Sequence, residues 1–195
     1  MNINERLKLK INTCCSSAKI LEIAGKYAEL SALDILRLTD IPAEDRLQLA
    51  LSIHLTPRKT MHLFACLCAE QALTNANVTD IRCWNAIKTK RLWLNGNTSG
   101  EELSKARRAA SEAHNEIRSE VKSSRIAAGI LKLDSLGFCS VKPTEQMNAC
   151  FASWEAAAST SPVRDAYRVS KHTAYSVKRE WQIEKLIELL EGAEK

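Results

Sequence analysis

Glycine and proline are scarce in this chain, six and four among 195 residues. An all-β chain of this size needs many turn residues, so the shortage argues against a strand-rich fold. It favours long helices built from the abundant Ala, Leu, Glu, Lys and Arg. No run of 18 apolar residues occurs, which leaves nothing to span a membrane. Residues 1–10 are polar and charged and lack the apolar core of a secretion signal. The cysteines (Cys14, Cys15, Cys66, Cys68, Cys83, Cys139 and Cys150) are odd in number, irregular in spacing, and contain no Cys-x-x-Cys pair. They read as reduced thiols of a cytoplasmic protein, packing as small hydrophobes. Charge of one sign is also weakly expressed. The net charge is +5, with thirteen Lys/Arg against nine Asp/Glu in residues 1–100 and fifteen against fourteen in 101–195. A dedicated nucleic-acid binder concentrates its basic charge far more.

What is present is helical punctuation. Apolar spacing predicts helices over 16–28 and 32–38. Ile41-Pro42-Ala43-Glu44 reads as a helix start with Pro42 in the first turn, and Thr56-Pro57 repeats the signal. Residues 74–79 form a polar break, after which Thr79 or Asp80 can cap a helix carrying Trp84, Ile87, Arg91 and Leu94 at core spacing. Asn95-Gly96-Asn97 ends that helix, and Ser99 with Glu102 forms a capping box for the next. Ser123-Ser124 suggests a boundary before a helix over 126–136. Pro143-Thr144-Glu145 opens another through Ala158. After a break at 159–162, residues 163–190 read as one long helix with a phase shift, hence a bend, near Gln182. The expected fold is all-α, a bundle of roughly eight or nine helices. Residues 1–56 form an N-terminal helical segment and 57–195 the main bundle, within one continuous domain.

Catalytic and cofactor motifs are missing. There is no glycine-rich phosphate loop and no Gly-x-Ser-x-Gly elbow, and no cofactor is expected. His62 and Cys66 share a helix face and could ligate a metal. Cys68 points away from that face, and buried thiols among alanines account for the same residues, so no metal is assigned. His114 and His172 could activate a cysteine only if the fold brought them to one.

Two basic stretches stand out. Arg82, Lys88, Lys90 and Arg91 lie in ten residues without an acid, interleaved with tryptophan. Arg164, Arg168, Lys171, Tyr175 and Lys178 follow a single helical stripe. Either could hold phosphates or be a solvated face. Glu70, Arg91, His114, Glu155 and His172 sit among small or apolar neighbours and suggest a buried hydrogen-bonded network. Trp93, Arg168 and Tyr175, with Arg164 and Lys171, are the residue types that anchor protein interfaces.

Three segments resemble the bacterial immunity-protein-five-like family, whose members also occur among phage proteins. They are the Ala65-Cys66-Leu67-Cys68-Ala69-Glu70 helix, the Trp93-Leu94-Asn95-Gly96 turn before an Ala/Arg-rich helix, and Arg179-Glu180-Trp181-Gln182 near the end. The likeness covers residues 57–190. Residues 132–146 are more polar than the family's middle, and 1–56 have no counterpart in it. The resemblance implies a non-catalytic protein-binding inhibitor whose partner is a toxin or a subunit of a defence complex. The phage version would be an anti-defence protein, for example an anti-CRISPR protein, binding a host effector complex. A helical nucleic-acid-binding module is the alternative.

Overall fold

The computed structural model describes residues 30–51, 55–127, 144–158, 161–174 and 176–193. Their secondary structure is entirely helical: α1 Ala32–Arg37, α2 Ala43–Ala50, α3 Arg58–Asn75, α4 Ile81–Leu94, α5 Gly100–Ala127, α6 Glu145–Ala156, α7 Pro162–Thr173 and α8 Arg179–Ala193. The helices predicted over 16–28 and within 128–136 lie outside the described residues.

The ends of these helices follow from local chemistry. Ser31 and Asp34 form a reciprocal capping box at α1. Asp80 accepts from the Arg82 amide at α4, and Thr144 accepts from the Met147 amide at α6. Ser99 Oγ accepts from the Glu102 amide, while the Glu102 carboxylate accepts from the Ser99 amide, so this box starts α5. Gly96, at φ +75°, supplies the left-handed step that ends α4.

α3 is the hub. Met61, Phe64, Ala65, Cys66, Cys68, Ala69, Ala72 and Leu73 are all buried, and α4, α6, α7 and α8 pack around it. Its Ala and Cys faces are small enough to let four neighbours approach. Phe64 and Leu73 fill the remaining space, each burial contributing on the order of 2 kcal/mol. The short helices α1 and α2 join this same core through Ala32, Leu36, Leu47 and Ala50 and pack on α8. A smaller cluster of Ala86, Leu103, Ala110 and Ala157, flanked by Trp93 and Trp154, lies where α4, α5 and α6 meet.

Two boundaries differ from the sequence pattern. α5 runs unbroken past Ser123 and Ser124 to Ala127, since Ser123 faces solvent and costs the helix little. The helix expected over 163–190 is two helices, separated at 174–178. The stop is tertiary. Arg179 and Gln182 both donate to the Ser170 carbonyl (2.9 and 3.1 Å), and Gln182 also donates to Thr173 Oγ1 (2.9 Å). They thereby satisfy the open Ser170 carbonyl in the last turn of α7. Arg179 continues to Glu44 of α2 at 2.7 Å. The Arg-Glu-Trp-Gln segment is thus the clamp that turns the chain. Among the described residues no helix is long and apolar enough to cross a membrane.

Candidate functional site

The first basic stretch is spent inside the molecule. Arg82 binds its own cap residue Asp80 at 2.7 Å and Glu116 of α5 at 2.5 Å. Arg91 reaches back to Glu70 of α3 at 2.6 Å. Lys90 is fully buried, and it, not Arg91, occupies the inward face with Cys83, Ala86 and Ile87. Its Nζ donates to the Ala158 carbonyl at 2.5 Å and lies 4.3 Å from the centre of the Trp93 ring. Burial pushes this ammonium down to about 8, against the pull of Cys66 and Asp165. Of the four cations, Lys88 alone is exposed.

The second stretch sits over two buried carboxylates. Glu155 of α6 and Asp165 of α7 are 4% and 1% exposed. Arg168 Nε lies 3.3 Å from Glu155 Oε2, and its guanidinium rests 5.4 Å from the Phe151 ring centre. Asp165 Oδ2 accepts from the Ser161 amide at 3.3 Å, which caps α7 from within. Its Oδ1 has no hydrogen-bond partner among the described residues, the Arg164 Nε being 3.7 Å away. Arg107 of α5 lies over Trp154, 5.6 Å from the ring centre. Burial raises both carboxyls above the usual carboxylate range. Arg168 is the main group opposing this at Glu155, and the Ser161 amide at Asp165.

The described histidines, His62, His114 and His172, each pack against an aromatic ring. His114 Nδ1 is 3.1 Å from the Met147 carbonyl oxygen, and its ring lies 5.5 Å from Phe151. His172 meets that same phenyl ring at 4.3 Å. Burial lowers both imidazoles. His62 meets Trp93 edge-on at 6.0 Å, and burial takes it down to about 4. Its helix neighbour Cys66 is pushed up to about 12, also by burial, and Cys68 rises for the same reason. Such thiols are poor nucleophiles and poor metal ligands at neutral pH. No group of three His, Cys, Asp or Glu side chains suited to a metal occurs among the described residues.

The five residues expected to form one buried network therefore fall into three partnerships: Glu70 with Arg91, Glu155 with Arg168, and the two histidines about Phe151. Of the expected interface residues, Arg164 and Lys171 are exposed and Arg168 is half-buried, all on the outer side of α7. Trp93 is half-buried against the smaller core cluster. Tyr175 lies outside the described residues. Lys90, Asp165 and Arg107 are additions from the fold. Lys90 was legible as a basic residue, yet its burial shows only when the apolar phase is counted from Cys83 and Ala86.

The result is a cationic outer face on α7, made by Arg164, Arg168 and Lys171; Lys178, expected on the same helical stripe, is exposed but lies beyond the end of the helix. The helix has one acid, Asp165, and it points inward. Such a face can attract anionic groups. Comparison with protein-family models, with curated proteins and with solved structures finds no match to this chain.

Proposed function

We propose that the protein is a non-catalytic protein-binding inhibitor, which occludes a toxin or a defence-complex subunit through the cationic face of α7. One observation carries the reading: the cations of α7 point outward while its only acid is buried beneath them. Arg168 is already ordered by Glu155 and Phe151, so less side-chain freedom is lost when a partner carboxylate meets it. The resemblance read from the sequence of residues 57–190 to immunity-like proteins points to the same role. Neutralising a toxin and blocking a host defence complex share this physical mechanism, and the neighbouring genes separate them: a toxin gene, or phage structural genes.

The test is capture from host lysate, identification by mass spectrometry, and reconstitution from purified components. A stoichiometric complex that survives size-exclusion chromatography, and that Arg164→Glu with Lys171→Glu abolishes, supports the reading. A complex indifferent to that double variant overturns the α7 assignment. A nucleic-acid-binding role would use the same cations, whose spacing of about 6 Å per helical step also suits phosphates. Gel shift at two salt concentrations separates the two, since tight, steeply salt-dependent binding of duplex or single strands favours nucleic acid.

A further inference from the structure

The last helix carries the complement of the α7 face. Glu180, Glu184, Glu188 and Glu191 are all exposed and follow one another at four, four and three residues, so they form one stripe on α8. The opposite side of that helix, Gln182, Ile183, Leu186 and Leu190, is buried against the core. Glu188 holds Lys185 of its own helix at 2.7 Å, and Glu191 holds Arg37 at 2.6 Å. Glu180 and Glu184 take no salt bridge among the described residues. On α7, Arg164, Arg168 and Lys171 repeat at four and three residues, the same pitch with opposite sign.

We propose that the cationic face of α7 docks on the acidic face of α8 of a second copy of this chain, reciprocally, as a two-fold dimer. Each chain carries both stripes, so one self-complementary arrangement uses each of them twice. The pitch match lets successive cations meet successive carboxylates along helices that rise about 6 Å per four residues. Exposed pairs are individually weak, so the dimer is concentration-dependent and salt-sensitive. This inference stands apart from the inhibitor role. It adds one consequence to it: a second copy and an acidic partner compete for α7.

Sedimentation velocity of the full chain at 20 and 300 mM NaCl tests the proposal. A dimer is expected at low salt and a monomer at high salt. Arg164→Glu with Lys171→Glu should raise the dimer dissociation constant at least tenfold, and so should Glu180→Lys with Glu184→Lys. An equimolar mixture of the two double variants should restore a dimer, because the reversed, acidic α7 of one then faces the reversed, basic α8 of the other, while the unreversed α7 faces the unreversed α8. Glu180→Gln with Glu184→Gln, which keeps size and helix propensity, should weaken the dimer by a smaller factor, and circular dichroism checks that each variant is folded. A monomer at every salt and concentration overturns the proposal. So does a dimer lost in the α7 variant but kept in the α8 variant, since α7 would then take some other anionic group. Failure of the mixed variants to associate overturns it too.

Discussion

α4 and α7 each carry three or more cations, and the fold treats them in opposite ways. On α4 the acids lie on neighbouring elements at the right height: Asp80 at the cap, Glu70 on α3 and Glu116 on α5. Each captures a guanidinium, and Lys90 turns fully into the core. On α7 the acids, Glu155 and Asp165, lie underneath. Arg168 is steadied from below by Glu155, and the side chains of Arg164 and Lys171 are exposed. Whether a basic run becomes scaffold or surface is decided by where the fold places carboxylates, and the run's own composition is silent on that. α4 substitutions should therefore act on stability and α7 substitutions on association.

The sharpest way to break this division is Lys90→Ala. It empties a fully buried volume and leaves the Ala158 carbonyl without its donor, so a loss of about 3 kcal/mol is expected in urea unfolding. Lys90→Met keeps the volume and removes the desolvated charge, and should cost much less. Equal losses in the two variants would mean that the ammonium, with its bond to the Ala158 carbonyl, holds the site rather than the volume of the side chain.

His62, beside Lys90, gives the next largest effect. In the fold it stays neutral down to about 4, whereas the unfolded imidazole protonates near 6.5. The unfolded chain therefore binds more protons between those values, and stability falls as pH drops through that window, by on the order of 2 kcal/mol. Denaturation midpoints measured from pH 7 to 4 should show this slope, and His62→Phe should flatten it.

Arg82→Ala should cost about 1 kcal/mol, because its pairs with Asp80 and Glu116 are partly exposed. Arg164→Ala and Lys171→Ala form the smallest end of the series. Each should leave the unfolding midpoint within about 0.5 kcal/mol of the parent, while the charge-reversed pair weakens association. Large destabilisation by either alanine would move α7 into the scaffold class and erase the contrast.

Much of the fold is written in short-range signals. Ser31, Asp80, Ser99 and Thr144 occupy cap positions whose partners lie two or three residues away, so the starts of α1, α4, α5 and α6 are local facts. The gap between α7 and α8 is not local. Residues 174–178 contain neither glycine nor proline, and the stop is made by Arg179 and Gln182 reaching back to Ser170. The apolar phase shift near Gln182 reflects this turn, which lies a few residues earlier in the chain. The candidate site divides in the same way. The stripe of Arg164, Arg168 and Lys171 is visible as helical spacing. The buried supports Asp165 and Glu155, and the inward Lys90, depend on which helix lies against which, and no window of sequence contains that.

The clasp between α1, α2 and α8 has a consequence for how the chain is made. Arg37 pairs with Glu191 and Glu44 with Arg179, across separations of 154 and 135 residues. A ribosome delivers α1 and α2 long before it delivers their partner, so these two short helices emerge with their packing surface bare. Closing so wide a loop is slow compared with winding any single helix. The final commitment to the native state thus waits for the last helix of the described chain, and a nascent chain stalled ahead of Arg179 should remain open to proteolysis at α1 and α2 while α3 to α6 are already protected.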